Sequence, residues 1–207
     1  MRKAIATLVL TMCSGTIMAA DIEEPDFDLL DQFGAVEIRH YEPTIQAQTT
    51  LESDAATTSG FRRLAGYIFG GNDQGMEIAM TAPVQETLDA PRPIMAFTMP
   101  SAYSMAELPR PNAADVTLRE IPGKTVAVIR FSGWATSSRV EHQTAQLLAE
   151  LERRDIEVVG GLSLNQYNPP WTLPFLRRNE VMVEIRGPAP TDQNASGGSA
   201  STTVPTA

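Results

Sequence analysis

The sequence predicts an α+β domain in which two helices cover one mostly antiparallel sheet or a distorted open barrel. Its 207 residues, 43% of them hydrophobic, suffice for one packed domain and leave little room for two. Segments with the two-residue alternation of strands surround two segments with the three- and four-residue spacing of helices. The strand beginning at Val36 has a counterpart eighty residues later at Val116, and each carries arginine at its fourth position and ends at a proline. We therefore predict a duplicated unit of strands, helix and hairpin.

Residues 1–20 predict an export signal peptide. They combine two basic residues, an apolar run, and small residues at Ala19 and Ala20 where cleavage would occur. The mature chain then begins near Asp21 and is periplasmic or secreted. A membrane anchor is one alternative, but polar residues interrupt a run that is too short to span a bilayer. A lipoprotein attached through Cys13 is another, and the methionine before it is a poor match to the small residue that such processing favours.

Composition limits the partners of this chain. The formal net charge of −9 repels phosphate backbones, which disfavours nucleic acid. Cys13 is the only cysteine and would leave with the signal, so neither a disulfide framework nor a cysteine metal site is expected. We expect no stable membrane insertion after signal removal, and the sequence indicates no particular protein partner.

Two strands and a helix open the domain. Residues 36–50 alternate as strands, with a break at Pro43. Phe61, Leu64 and Ile68 recur at helical spacing, and the glycine pair that follows ends the helix because glycine enters the left-handed region without steric penalty.

The remaining elements complete the two units. Residues 76–84 alternate as a strand and would form a hairpin with residues 94–99. In the second half, Ser138 and Glu141 have the spacing of a capping box at the start of a helix. The glycine pair at 160–161 predicts a turn. The other second-half elements are a strand at 125–131, a helix with Val140, Thr144, Leu147 and Leu151 on one face, and strands at 162–167 and 181–185.

The folded domain is expected to cover residues 21–186. From Gly187 onward the chain lacks large apolar side chains, so it cannot bury enough surface to offset its ordering entropy. We predict that residues 187–207 form a disordered tail.

Five short runs carry a family resemblance. VEIRHYEP begins at Val36, GFRRLAGYI at Gly60, MTAPV at Met80, YNPPW at Tyr167 and RRNEV at Arg177. In this order and spacing they resemble the SOUL haem-binding protein family over residues 24–185, closer to the members with a histidine in the EIRHY motif. The resemblance implies the same fold. It also implies a noncovalently held haem b or other tetrapyrrole in a shallow groove beside the first helix, walled by a loop of the second half.

His40 is the candidate metal ligand. It stands in the EIRHY run, for which the resemblance implies iron ligation in some members, and imidazole is a common axial ligand of haem iron. The alternative is a packed residue, because His40 shares a strand face with Val36 and Ile38.

Apolar side chains are the candidates for the walls of the groove. A tetrapyrrole is a flat apolar plate with two carboxylates at one edge, so its site needs such walls and cationic groups at the rim. The candidates are Phe61, Leu64, Ala65, Ile68 and Phe69 of the first helix and Trp171, Leu173 and Phe175 of the proline-rich loop. Burial in the core explains Phe61, Leu64 and Ile68 equally well, since it stabilises the fold by about 1.5–3 kcal/mol for each.

Arginines are the candidates for binding the two carboxylates through forked hydrogen bonds. They are Arg62 and Arg63 on the first helix and Arg177 and Arg178 in the loop. Gly66 departs from the resemblance, because some members carry a further basic residue there. Arg178 is alternatively a structural anchor paired with Glu180 or Glu184.

The sequence favours a binding protein over an enzyme. It has no histidine cluster with metal spacing, no phosphate-cradling glycine loop and no G-x-S-x-G turn. Methionine pairs at 76/80 and 95/99 offer thioethers to iron or copper(I), but methionine on a strand face is more typical of core filling. The predicted function is a haem carrier, buffer or scavenger outside the cytoplasm. The alternative is an effector-binding or protein-interaction module of the same fold that holds another amphipathic ligand, and an enzyme acting on haem rests on the resemblance alone.

Overall fold

A computed structural model describes residues 22–52, 57–90 and 92–187 of the chain. The predicted export signal, Cys13 and the predicted tail beyond Gly187 lie outside the described residues. The described elements are β1 (Phe27–Phe33), β2 (Val36–Tyr41), β3 (Thr44–Thr50), α1 (Thr57–Ile68), β4 (Val84–Thr87), β5 (Ile94–Thr98), β6 (Thr117–Ile121), β7 (Lys124–Phe131), α2 (Ser137–Glu152), β8 (Val158–Gln166) and β9 (Asn179–Ile185), with one 3₁₀ turn at Pro174–Leu176.

The strands form one curled antiparallel sheet in the order β1-β2-β7-β9-β8-β4-β5-β3-β6. This arrangement confirms the predicted α+β class with two helices. The order from β2 to β6 is symmetrical. The elements β2, β3, α1, β4 and β5 correspond in turn to β6, β7, α2, β8 and β9. When each element is replaced by its counterpart, the same strand order results, read from the opposite edge of the sheet. Such an order is the one expected of two copies of one unit, although internal duplication itself stays a prediction.

One face of the sheet is apolar and carries both helices. α1 contacts β3 and β5, whereas α2 contacts β7 and β9. The apolar residues of alternating strand positions therefore collect in two cores, one under each helix. The α2 core includes Val36, Ile38, Ile129, Leu147 and Val181, and the α1 core includes Leu51, Leu64, Ile68, Met95 and Phe97.

The opposite face of the sheet carries charged and polar side chains around a small buried apolar cluster of Val126, Val128 and Met182. In β2, Glu37, Arg39 and Tyr41 alternate with the core residues and so point away from the helices. Arg39 nevertheless exposes only 5% of its surface, and Glu180 of β9 only 2%. The curl of the sheet thus buries charged groups on the face that carries no helix.

The predicted end of α1 is confirmed, and its geometry is that of a glycine C-cap. Gly70 adopts φ 91°, and the Gly71 N–H donates to the Gly66 carbonyl at 2.8 Å. Asn72 then closes the turn with its buried side chain. Its Oδ1 accepts from the Met76 N–H at 2.9 Å, while its Nδ2 donates to the Met76 carbonyl at 2.7 Å.

The predicted strand at 76–84 is wrong in its extent. The hairpin partner of β5 begins at Val84, where the predicted strand was to end, and residues 76–82 form only isolated bridges. The Ile78 N–H donates to the Ile68 carbonyl at 2.8 Å, so this segment is held against the end of α1 and not in a ladder. The alternation at 76–80 reflects side-chain burial, since Ile78 is in the α1 core.

Three further expectations differ from the structure. The glycine pair at 160–161 lies inside β8, where both residues have positive φ and the register with β9 shifts, so it forms a bulge and not a turn. The capping box is also wrong: α2 begins at Ser137 with Thr136 as its N-cap, which makes no side-chain capping hydrogen bond. β1 was not predicted, because six of its seven residues are exposed at the sheet edge and leave no apolar alternation.

Candidate functional site

The connection between β8 and β9, residues 167–178, exposes an unusual amount of apolar surface; we call it the β8–β9 loop. Its Trp171 and Phe175 are 84% and 71% exposed, and Leu173 and Leu176 are also exposed. Clustered exposed aromatic and aliphatic side chains mark interaction sites more often than single ones do. Sequence reasoning found three of these four residues, and Leu176 was missed because it is adjacent in sequence to Phe175 and breaks no pattern.

Hydrogen bonds hold the β8–β9 loop in place. Arg177 donates to the carbonyls of Thr172, at 2.9 Å, and Pro170, and its guanidinium lies 3.8 Å from the ring centroid of Trp134. The Pro174 carbonyl accepts from the Gly133 N–H at 2.8 Å. The apolar side chains therefore project from a fixed backbone, which lowers the entropy lost when a ligand binds.

The β8–β9 loop begins at the end of the sheet where β4 begins. Val84, the first residue of β4, pairs with Gln166, the last residue of β8. The segment before β4 is bonded to the end of α1. Exposed Phe69 follows α1 directly.

The wall candidates of α1 divide into two groups. Leu64 and Ile68 are fully buried in the α1 core, so they support the helix from beneath. Phe61 is 39% exposed and packs edge-on against Phe97 at 5.3 Å between ring centroids. Ala65 is half-buried. Only Phe61, Ala65 and Phe69 among the α1 candidates therefore present surface to a ligand.

The polar face of the sheet holds a second feature, which sequence reasoning missed; we call it the polar cleft. Its floor is a buried network centred on Arg39. The guanidinium donates to Glu180 at 3.0 and 3.3 Å, to Glu37 at 2.8 Å and to the Tyr41 hydroxyl at 3.2 Å. Tyr167 donates its hydroxyl to Glu180 at 2.7 Å. Sequence reasoning noted Arg39 only as one of two arginines at matching strand positions, and the other, Arg119, is exposed and does not line the cleft.

Burial and charge together perturb the protonation of this network. Burial acts to lower the pKa of Arg39, but the hydrogen bonds and charge of Glu180 outweigh it, so the pKa is raised. Burial raises the pKa of Tyr41 and of Tyr167, and the Glu180 charge raises that of Tyr167 further. Arg39 therefore stays cationic and both phenols stay neutral at physiological pH.

His40 lies apart from the wall candidates of α1. It is half-buried on the helix-bearing face of β2, in the half of the sheet covered by α2. Its Nδ1 and the Oγ1 of Thr125, its cross-strand partner, share a hydrogen bond of 3.1 Å. The structure therefore does not bring His40 together with the apolar wall candidates of α1.

Comparison with known proteins decides the family. The model of the SOUL heme-binding protein family matches residues 22–184. The chain belongs to this family. It is 34% identical to human heme-binding protein 2 over 174 residues, covering 79% of this chain and 83% of that protein. It is 33% identical to mouse heme-binding protein 2 over 168 residues, covering 75% and 80% of the two chains. Bovine heme-binding protein 1 is 27% identical over 137 residues, covering 63% and 71%.

Solved structures with the same fold are more distant in sequence. The C-terminal domain of EcmrR superposes with a TM-score of 0.58 at 9% identity, covering 73% of this chain and 96% of that one. An uncharacterized conserved protein from Listeria innocua gives 0.56 at 9% identity, covering 73% and 92%. At this identity the likeness shows the fold alone.

The four candidate arginines of this SOUL family member have different surroundings. Arg62 is exposed and makes no hydrogen bond or ion pair among the described residues. Arg63 is paired with Asp115 at 3.2 Å. Arg178 pairs with Glu24 and not with Glu180 or Glu184, and its guanidinium lies 3.4 Å from the ring centroid of Tyr167. With Arg177 holding the loop, Arg62 is the candidate whose charge the described residues leave unpaired.

The two methionine pairs that were considered as metal ligands belong to the α1 core or pack against it. Met95 and Met99 are buried in the α1 core, and Met76 and Met80 pack against it. Within residues 22–52, 57–90 and 92–187, no group of three or more histidine, cysteine, aspartate or glutamate side chains is arranged to hold a metal ion. No helix in the same ranges is both long and apolar enough to cross a membrane.

Proposed function

We propose that this protein binds haem or another tetrapyrrole noncovalently on the apolar surface formed by α1 and the β8–β9 loop. The observation that carries this proposal is the exposure of Trp171, Leu173, Phe175 and Leu176 on a loop whose backbone is fixed by Arg177. Membership in the SOUL family and the names of the relatives, heme-binding proteins 1 and 2, support it. Phe61, Ala65 and Phe69 supply the helix side of the groove.

The chemistry of the surface suits a flat apolar ligand with an anionic edge. Aromatic rings stack favourably on a macrocycle, adding to the free energy of apolar burial. Exposed Arg62 offers a forked donor for one propionate, while the other would reach water at the rim. The surrounding acidic chain makes such a local cation necessary for an anionic ligand.

The proposal assigns His40 to packing, because its ring is bonded to Thr125 in the α2 half of the sheet. Affinity would then come from contacts with the porphyrin ring and with the carboxylates at its edge, and His40 would not coordinate the iron. A shallow site without a strong protein ligand exchanges its ligand readily, which is the property required of a carrier, buffer or scavenger. We propose this binding role in place of catalysis: when haem and a reductant are supplied, the iron is reduced, but the protein should not accelerate cleavage of the porphyrin ring over the rate without protein.

A spectral titration tests the site. The protein expressed from its full sequence is titrated with haemin and, separately, with metal-free protoporphyrin. We expect saturable binding of both, and a loss of about tenfold or more for Trp171→Ser and Phe175→Ser, since each truncation removes roughly 1.5–3 kcal/mol of apolar contact. Leu29→Ser is the matched control, because Leu29 is also exposed but lies on β1.

The same titration on His40→Ala separates groove binding from iron ligation. Unchanged Soret spectra and affinity support the groove, whereas loss of the Soret shift with haemin alone makes His40 the ligand. Absence of saturable binding by wild type refutes the proposed function.

We also propose that the protein acts outside the cytoplasm, on the strength of its first twenty residues. Fractionation of a Gram-negative host expressing the full sequence should place it in the periplasm, with an amino terminus near Asp21. Recovery of the intact chain from the cytoplasm contradicts export.

A further inference from the structure

We propose that the polar cleft is a second ligand site, separate from the tetrapyrrole surface, and that it takes a small planar organic acid whose carboxylate pairs with Lys124. The cleft lies on the sheet face opposite the helices, whereas the tetrapyrrole surface includes α1; the β8–β9 loop borders both, and its end residues Tyr167 and Arg178 line the cleft.

The size of the cleft selects for a small ligand. It encloses about 230 Å³, which is below the roughly 300–1,000 Å³ of pockets that hold drug-sized molecules. A single substituted aromatic ring suits this volume better than a tetrapyrrole plate does. Phe27 and Tyr41 form one wall, with their ring centroids 5.4 Å apart, and Ile121 and Pro122 contribute to the lining beside them.

The charges of the cleft select for an anion. Four acidic and four basic side chains line it: Glu24, Glu37, Glu42, Glu180, Arg39, Lys124, Arg130 and Arg178. Three of the four carboxylates are already held by guanidinium groups: Glu37 and Glu180 by Arg39, and Glu24 by Arg178. The fourth, Glu42, is exposed to solvent. The cleft therefore has no buried carboxylate that lacks a partner among the described residues.

Two cations of the cleft make no hydrogen bond or ion pair among the described residues, Lys124 and Arg130. Arg130 is exposed and stands opposite Glu180 in the sheet register, close to the excess negative charge of the network. Lys124 is half-buried, stands opposite Tyr41 and follows Pro122 by two residues. Lys124 is therefore the cation positioned beside the apolar wall, where a carboxylate on a flat ring could meet both at once.

The floor of the cleft is preorganised for a ligand. Arg39, Glu180 and Tyr167 are fixed by mutual hydrogen bonds, and the Arg39 guanidinium lies 4.3 Å from the ring centroid of Phe27. A ligand would bind without displacing these groups, because their hydrogen-bonding capacity is engaged. This arrangement leaves Lys124 as the adaptable contact.

Salicylate is a suitable probe, because it is small, planar and anionic and its own fluorescence reports binding. Its neutral amide, salicylamide, has the same shape and serves as the matched ligand. On the full-length protein we expect saturable binding of salicylate that is about tenfold tighter than that of salicylamide, corresponding to one charge-assisted contact.

Four variants place the contact. Lys124→Gln should remove the preference for salicylate over salicylamide, and Lys124→Arg should keep it. Arg130→Gln removes the same charge from the same strand six residues away, so it should change salicylate affinity by less than about twofold if the contact is local. Trp171→Ser, on the tetrapyrrole surface, should leave salicylate binding unchanged. Lys124 is not in a core, and an unchanged melting temperature shows that each variant folds.

Several results overturn the proposal: no saturable salicylate binding, equal binding of salicylamide, or equal losses in the Lys124→Gln and Arg130→Gln variants. Displacement of salicylate by haemin also overturns it, because it would mean one site and not two. Failure of haemin to bind would refute the proposed function and leave the polar cleft untouched.

Discussion

Removal of the Arg39 side chain should destabilise this protein more than most single substitutions. Arg39→Met leaves the Glu180 carboxylate, 2% exposed, with the hydroxyl of Tyr167 as its remaining side-chain donor. Breaking one partner of a buried pair costs about 3–5 kcal/mol, since the other charge stays buried without compensation. Because domains are stable by only about 5–15 kcal/mol, this loss should be plain in the unfolding midpoint.

The double variant Arg39→Met/Glu180→Met distinguishes an uncompensated charge from lost packing. Removing both charges takes away the desolvation penalty together with the attraction, so the double variant should lie within about 2 kcal/mol of wild type. The single variants should then sum to more than the double, with a coupling of at least ~2 kcal/mol. Glu37 remains in both, but it is 30% exposed and can be hydrated.

Guanidinium unfolding followed by tryptophan fluorescence measures these free energies. Arg153→Met is the control, because Arg153 pairs with Glu150 on the surface of α2 and such pairs contribute about 0–1 kcal/mol. A free energy of unfolding for Arg39→Met within ~1 kcal/mol of wild type would contradict an uncompensated buried charge. So would a double variant that costs the sum of the two single variants.

Three further predictions concern the last turn of α1 and the turn that follows it. Asn72→Ala removes four hydrogen bonds made by a side chain that is only 3% exposed. It should lower the free energy of unfolding, measured in guanidinium melts, by about 2–4 kcal/mol. Asp73→Ala, at the next residue, is the control and should lower it by less. Gly71→Ala should also destabilise, because its Cβ would lie 2.4 Å from the Gly66 carbonyl oxygen, and a melting temperature equal to wild type would contradict this contact. Burial raises the pKa of Tyr67 to about 12 from 10.0. Between these pH values the unfolded chain loses the phenol proton first, so the free energy of unfolding should fall as pH rises through the window, by at most about 3 kcal/mol. This part of the loss should be missing in Tyr67→Phe.

Periodicity predicted those parts of the fold in which one side of an element is buried. The helix faces of α1 and α2 were correct because Leu64, Ile68, Val140 and Leu147 sit over closed cores. The same reasoning misplaced the strand before Val84, since alternation reports burial and not hydrogen bonding. It also missed β1, which is an exposed edge strand and owes its place to backbone pairing with β2.

The candidate site was predictable only where residue type alone carries information. Trp171 and Phe175 in a proline-rich loop are unusual without a ligand or partner, and the structure shows them exposed. Leu64 and Ile68 carried no such information, because core and groove both require apolar residues. The polar cleft was invisible because its members are distant in sequence: Arg39 and Glu180 are separated by 141 residues and meet only through the sheet order.

The sheet order explains how one small domain can offer two unlike surfaces. Both helices lie on one face, where most apolar strand residues collect in two cores, and the opposite face keeps only a small buried apolar cluster, Val126, Val128 and Met182, beside its charged residues. In a flat sheet those residues would be solvated and their charges worth little. Here the curl buries Arg39 and Glu180 and creates a cleft in which a charge such as Lys124 acts at short range in reduced screening. The affinity of the cleft for an anionic ligand should therefore depend far less on salt than the attraction of an anion to an exposed arginine such as Arg62. Titrations of salicylate at 20 mM and 500 mM salt measure this dependence, and a steep loss of affinity at 500 mM would contradict the effect of the curl.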